Sequence, residues 1–249
     1  MPIKLIVDSN AKVNQEKQRD YRNVVLTQVV IIVFGLTLSE FLLAGPHTAL
    51  AKAIITVFSF FGVIYAFLLW DLLKNFTKNK LLIHICFFTL LGITLMGALV
   101  EFPYYTILEV SNRQLYLLVI HGLLFPIEVT VISFAIRDIF SGEFLTPDKL
   151  WGAACVFLMT GISFGSLYDL ICIIKPGGLG KEIESGLSNY AECVTYSLSI
   201  LGGADGGYPD VSKLIRNISV LEAVWSNLFV VLIIGKLMGL PRPPRRQSN

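Results

Sequence analysis

The chain has 249 residues, of which 54% are hydrophobic and 15% are charged. Soluble globular domains carry about 25% charged residues, so this composition favours a membrane protein over a soluble one. The net charge of +2 is too small to indicate nucleic-acid binding, and we expect no nucleic-acid partner.

Residues 1–23 are polar and charged, and we expect them to form a cytoplasmic N-terminal segment rather than a cleavable signal peptide. Six apolar stretches follow, each close to the roughly 20 residues that a helix needs to cross a bilayer. They are residues 24–43, 53–70, 81–100, 115–136, 150–174 and 214–237. The predicted fold is therefore an all-α membrane protein with six transmembrane helices.

The distribution of positive charge predicts the orientation of these helices. If the stretches cross the membrane alternately, 14 of the 20 lysines and arginines lie on one side. Because basic residues are enriched in cytoplasmic connections, we place both termini in the cytoplasm, including a basic tail at 241–249. The long connection at 175–213 then faces outward.

The fourth predicted span contains an unusual buried charge at Glu128. A charged group inside a membrane needs a partner, and we expect His121 or His84 to supply it. This span lacks the repeated arginines of a voltage sensor, so we expect no steep dependence on voltage.

The cysteines show neither a paired motif nor metal-ligand spacing, and we expect them to be small buried side chains. They are Cys86, Cys155, Cys172 and Cys193. We accordingly predict no metal site and no cofactor. Since the chain also lacks recognisable catalytic motifs, an enzyme or a carrier is the weakest interpretation.

The connection before the last span contains an amphiphilic piece, "LSNYAECVTYSLSIL" at Leu187–Leu201, which is too short and polar to cross the membrane. Asn189 is expected to cap this helix, with Glu192 as its capping-box partner. The glycine-rich "GGADGGYPD" follows. Because bare backbone at membrane depth survives only inside protein or beside water, we predict a re-entrant pore loop between the fifth and sixth helices.

The flanks of this loop resemble the pore domain of a known family. "LTPDKLWGAACVFLMTGISFGSLYDLI" at 145–171 resembles an outer pore helix, and "VSKLIRNISVLEAVWSNLFVVLIIGKLMGL" at 211–240 resembles an inner helix. Residues 145–240 are thus similar to the pore domain of bacterial potassium channel family membrane proteins. Residues 24–140 form a predicted four-helix transmembrane region, and they resemble the same family chiefly in the number of spans that precede the pore domain. The resemblance implies a homotetramer in the bacterial inner membrane, with monovalent cations as permeant ions.

The family's filter motif, T-x-G-Y-G-D, is degenerate in this chain. Aligning the inner helix places the filter on Gly202, Gly203, Ala204, Asp205 and Gly206, with Asp205 where tyrosine is expected. Aligning the pore helix moves Asp205 onto a glycine position, and a third register uses "GYPD" at 207–210. We prefer the first register. Four copies of Asp205 would form an acidic ring that attracts cations with little selectivity. The alternative is a non-conducting homologue with an assembly or signalling role.

Two further groups of residues are predicted to support the pore. Ser226, Val230 and Ile233 share one face of the inner helix and are expected to line the ion pathway. Glu222 is expected to brace the filter by pairing with Arg216 or with a donor of the pore loop, and Glu192 is a second supporting polar residue.

Overall fold

The computed structural model describes residues 15–33, 48–100, 111–141, 146–181 and 186–239. The regular structure within these ranges is helical, as predicted, and they contain no strand. The helices are α1 (residues 15–33), α2 (Thr48–Phe76), α3 (Lys80–Val100), α4 (Arg113–Phe140), α5 (Pro147–Ile174), α6 (Leu187–Leu201) and α7 (Lys213–Gly239). The basic tail and most of the N-terminal segment lie outside the described residues.

Four helices, α3, α4, α5 and α7, are long and apolar enough to cross a membrane. They coincide with the third to sixth predicted spans, so the chain has the character of a membrane protein. Only residues 24–33 of the first predicted span are described, and of α2 only the side chains from residue 62 onward are described. The count of six spans therefore stays a prediction.

Polar contacts at the helix ends show how the long helices are arranged. Lys17 of α1 pairs with Asp138 of α4 at 2.6 Å, and Asn75 of α2 donates to Asp20 at 2.8 Å. The start of α1 and the ends of α2 and α4 therefore lie together, and Gly152 near the N-terminal end of α5 adjoins Tyr21 and Ile139 there. At the opposite end, Gln114 of α4 donates to the Ile173 carbonyl at 2.6 Å.

The hydrophobic core lies between α1, α2, α4 and α5. Aliphatic residues with at most 1% exposure, such as Leu69, Leu73, Val131, Ile139 and Val156, are among its most deeply buried side chains. Most residues of α5 are buried, whereas α3 and α7 each leave an apolar face exposed. Thus α5 is the central helix of the bundle.

Two glycines of α5 allow α6 to lie directly against its backbone. A Cβ at Gly161 would come within 2.7 Å of Leu198, and one at Gly165 would lie 2.6 Å from Cγ2 and 2.7 Å from Cα of Val194. Small residues permit such close helix packing in membranes. The glycines therefore set the distance between the two helices.

The Gly165→Ala variant tests this packing, because the added methyl group meets the backbone of α6 and α6 must move. We expect overpacking to lower the free energy of unfolding by about 1–3 kcal/mol. Thermal unfolding in detergent measures the change. Gly92→Ala is the matched control, since a Cβ at Gly92 of α3 meets nothing within 4 Å. Equal melting temperatures for the two variants would contradict the close contact.

Candidate functional site

The short helix α6 begins beside the C-terminal end of α5 and ends beside its middle. Near its start, the Asn189 amide donates to Asp169 of α5 at 2.6 Å. Near its end, the Ser197 hydroxyl oxygen lies 2.7 Å from the Gly161 carbonyl oxygen. The last carbonyl, that of Leu201, accepts from Ser226 of α7 at 3.0 Å. Since Gly161 and Ser226 lie near the midpoints of α5 and α7, α6 extends about half-way along both helices.

A glycine in the left-handed conformation ends α6. Gly203 has φ +79°, and its N–H donates to the Ile200 carbonyl at 3.0 Å. The Ala204 N–H donates to the Ser199 carbonyl at 2.8 Å. These two bonds form a Schellman motif, which satisfies carbonyls that a helix end would leave unpaired. The first three residues of the predicted filter therefore form the cap of α6.

The chain then returns along α6 to the C-terminal end of α5. Gly206 has φ +43° and lies against the ring of Tyr196, so a side chain there would have neither the conformation nor the space. Further on, the Tyr208 hydroxyl donates to Glu192 of α6. The Ser212 N–H finally donates to the Gly178 carbonyl at 2.9 Å, just beyond the end of α5.

The turn between α6 and the returning segment is exposed in the single chain. Residues 202–205, including Asp205, are exposed, whereas most described side chains of α6 are buried or nearly so. The fold therefore places an acidic side chain and glycine backbone on an exposed surface. This surface lies beside the midpoints of the apolar helices α5 and α7.

Glu222 connects three helices from a fully buried position in α7. Its Oε2 accepts from the Tyr168 hydroxyl of α5 at 2.6 Å, and its Oε1 accepts from the Ser197 hydroxyl of α6 at 2.5 Å. Of the two partners expected for Glu222, Arg216 is not the one used, because its guanidinium donates to the Pro209 carbonyl at 3.2 Å, and Ser197 of the loop helix α6 supplies a donor. The contact between Glu222 and α6 is therefore a hydrogen bond from a hydroxyl group and not an ion pair with a basic side chain.

The predicted capping box at the start of α6 is also wrong. The N-cap residue is Gly186, and Asn189 lies inside the first turn, bonded to Asp169. Glu192 instead accepts from Tyr208 and lies 3.5 Å from the ammonium group of Lys181. Burial and the hydrogen bond to Glu192 raise the pKa of Tyr208, so this hydroxyl remains a donor.

The three predicted pathway residues of α7 do not share one environment. Ser226 and Ile233 are buried against the rest of the chain, whereas Val230 is 37% exposed. The three residues lie on one face of the helix, as expected, but Val230 is at the edge of the buried stripe, whose positions are 215, 219, 222, 226, 229 and 233. The face of α7 that the chain leaves uncovered contains Val224 and Val231 instead.

Sequence reasoning missed Asp169, a fully buried acid in the C-terminal part of the predicted fifth span. It forms an ion pair with His121 of α4, which also lies within electrostatic range of Glu128, so the partner expected for Glu128 is shared with Asp169. His84 does not supply the partner, since it is exposed and contacts its own helix at the Lys80 carbonyl. A signal was present, because Asp169 is the one acidic residue in the apolar stretch 150–174.

No known protein family, curated protein or solved structure matches the chain. The resemblance of residues 145–240 to a potassium-channel pore domain therefore stays a prediction.

The Ser197→Ala variant tests the bridge between α5, α6 and α7. It leaves Glu222 Oε1 without its donor in a buried site, which costs about 1–3 kcal/mol. We expect a lower thermal unfolding midpoint in detergent. Ser199→Ala is the control, since the Ser199 hydroxyl bonds only within its own helix, to the Thr195 carbonyl. A midpoint for Ser197→Ala that matches this control would argue against the bridge.

Proposed function

We propose that this chain is a subunit of a homotetrameric, weakly selective cation channel in the membrane. Residues 202–206 of four copies would surround the ion pathway. The observation that carries this proposal is the half-length helix α6, which stops beside the middle of α5 and α7 and is followed by an exposed, glycine-rich turn. In a re-entrant pore loop, a short helix enters the membrane and an extended segment returns to the same side.

The proposed topology has six crossings with both termini in the cytoplasm. Contacts at the two ends of α5 support it, because α4 and α7 each run antiparallel to α5. Lys17 and Lys149 lie toward the N-terminal end of α5, which we assign to the cytoplasmic side by its predicted excess of basic residues. The returning segment and the start of α7 then lie on the outer side.

Symmetric assembly explains how the exposed turn can exist at this depth. Backbone carbonyls without a donor cost several kcal/mol each in hydrocarbon, so the exposed carbonyls of this turn need water rather than lipid around them. Four copies around one axis would turn these carbonyls toward water and hide them from lipid. The uncovered apolar face of α7 would then contact either a neighbouring copy or the pathway.

The chemistry of the turn favours cations without strong selection among them. Four Asp205 side chains near an axis form an acidic ring, and the C-terminal end of α6 adds the negative end of a helix dipole. A potassium ladder of stacked carbonyls is not expected, because residues 202–204 are folded into the helix cap. Tyr208 braces the loop against Glu192 from just beyond the preferred filter register.

The decisive test is cation flux through proteoliposomes that contain the full chain. We expect the wild type to pass both sodium and potassium, and Asp205→Asn to pass several-fold less of each, because the ring loses its charge. Asp210→Asn is the matched control, since Asp210 is exposed in the same loop but lies at its outer end, beside Gly180. We expect this variant to retain wild-type flux.

The two failures of this test have different meanings. A silent wild type, under all potentials and gradients applied, would replace the channel by the non-conducting alternative. Equal losses of cation flux in Asp205→Asn and Asp210→Asn would show that the flux depends on the overall negative charge of the loop and not on a ring at Asp205.

Cross-linking tests whether the turns of several copies meet. We expect Ala204→Cys to yield oligomers up to four chains with a short bismaleimide, because Ala204 lies on the exposed turn. The four native cysteines are buried and should contribute little background. Phe88→Cys is the control, because this exposed residue of α3 lies in a predicted span far from the turn in sequence. Monomers alone from Ala204→Cys would refute assembly around this loop.

A further inference from the structure

The last helix, α7, has two exposed faces of different composition. The chain buries one stripe of this helix against α5 and α6 and leaves most other positions of α7 uncovered. Within the uncovered part, one set of residues recurs at intervals of four and three, and its apolar members are each more than half exposed. We call this set the Val–Asn face, and it consists of Val220, Val224, Asn227, Val231, Ile234 and Met238.

The second exposed face of α7 consists of larger apolar side chains. This Leu–Trp face contains Leu214, Leu221, Trp225, Leu228 and Leu232, which are between 45% and 66% exposed. At 3.6 residues per turn, its centre lies about 100° around the helix from the centre of the Val–Asn face. Lipid tails are as apolar as leucine, so the Leu–Trp face is suited to lipid, whereas polar side chains within spans commonly join membrane helices.

Asn227 is the residue of the Val–Asn face that lipid cannot satisfy. It is exposed, and it lies one position from the midpoint of α7. Its amide group has no hydrogen bond to the part of the chain that the structure describes. An amide without a partner in hydrocarbon is costly, because nothing there replaces the water that it loses. The middle of this apolar helix therefore needs a polar group from outside the described fold.

The spacing of the Val–Asn face identifies that group as part of another helix. Intervals of four and three residues are those of positions a and d in a heptad, through which two or more helices pack against one another. Val224 and Val231 then occupy position a, where β-branched residues are common in parallel pairs, and Asn227 occupies position d.

The same spacing makes the face complementary to itself. Copies of the chain that are inserted in one direction have parallel α7 helices, so each residue of the face meets its counterpart at the same depth. An asparagine amide is both a donor and an acceptor of hydrogen bonds. Asn227 of one copy can therefore bond with Asn227 of the next, and a second copy of this chain satisfies the face.

We infer that the Val–Asn face is a self-association surface, on which α7 packs in parallel against α7 of a second copy. The Asn227 amides hydrogen-bond to one another at the centre of this contact, and the Leu–Trp face remains in lipid. The inference rests on one premise of the proposed function, that copies of the chain assemble. It does not require that the assembly conducts ions or that residues 202–206 meet.

Disulfide cross-linking of the full chain in lipid vesicles tests the contact, with one cysteine introduced at a time. Two sulfurs bond only when their Cβ atoms approach to about 4 Å. We expect oxidation to convert Val224→Cys and Val231→Cys to covalent dimers, even when added lipid dilutes the protein. Leu221→Cys and Leu232→Cys are the matched controls from the Leu–Trp face and should stay monomeric. The native cysteines are buried and should add little background.

Asn227→Leu tests the amide itself in the Val224→Cys background. We expect the loss of the hydrogen bond to lower the association constant by about threefold or more, read as dimer yield across a series of lipid dilutions. Trp225→Leu changes a neighbouring residue on the Leu–Trp face and should leave the yield unchanged. Unchanged or stronger association of Asn227→Leu would overturn the bond between the amides.

The remaining outcomes separate this contact from the proposed function. Monomers from all four cysteine variants, or equal dimer yields from both faces, would overturn the contact. Labelling of Val224→Cys by a charged maleimide without disulfide formation would also overturn it, since the face would then line water. Dimers from Val224→Cys together with a silent wild type would refute the channel alone. Sodium and potassium flux without dimers would refute the α7 contact alone.

Discussion

The contact between the backbones of α5 and α6 is the constraint on which the rest of the structure depends. It exists because Gly161 and Gly165 carry no side chain where Leu198 and Val194 approach. At this distance the Ser197 hydroxyl reaches the Gly161 carbonyl and also the buried carboxylate of α7. A wider separation would lose both contacts of this hydroxyl together. The position of α6 along α5, and hence the position of the turn that follows, depends on glycine at both of these sites.

A helix of 15 residues is too short to cross a bilayer and has no stable place in it unless its ends are satisfied. This chain satisfies them with groups from its neighbours. Asn189 bonds to a buried acid of α5, the Leu201 carbonyl accepts from Ser226 of α7, and Gly203 closes the last turn. The returning segment is held in turn by Tyr208 on Glu192. The loop is therefore anchored along its length, which is what an ordered turn at an oligomer axis would require.

Buried carboxylates mark the two parts of the bundle in different ways. Glu222 has two hydroxyl donors and so forms a completed structural joint. Glu128 has one donor, the Ser166 hydroxyl, and one oxygen without a hydrogen-bond partner among the described residues. Asp169 is intermediate, since it is paired with His121 and bonded to Asn189 within the same interface.

The sequence by itself determined the helical class, four of the predicted spans and the bounds of α6, because length, hydropathy and glycine content are local properties. Only the tertiary structure decided which polar groups pair. Asn189 was predicted as a cap, yet Asp169, twenty positions earlier in the chain, takes its amide. Likewise Glu222 selects Tyr168 and Ser197 over the nearby Arg216. The reason is physical, because a pairing between two helices depends on their relative depth and rotation. The packing of entire helix faces determines both, and the residues next to each charge in the sequence do not.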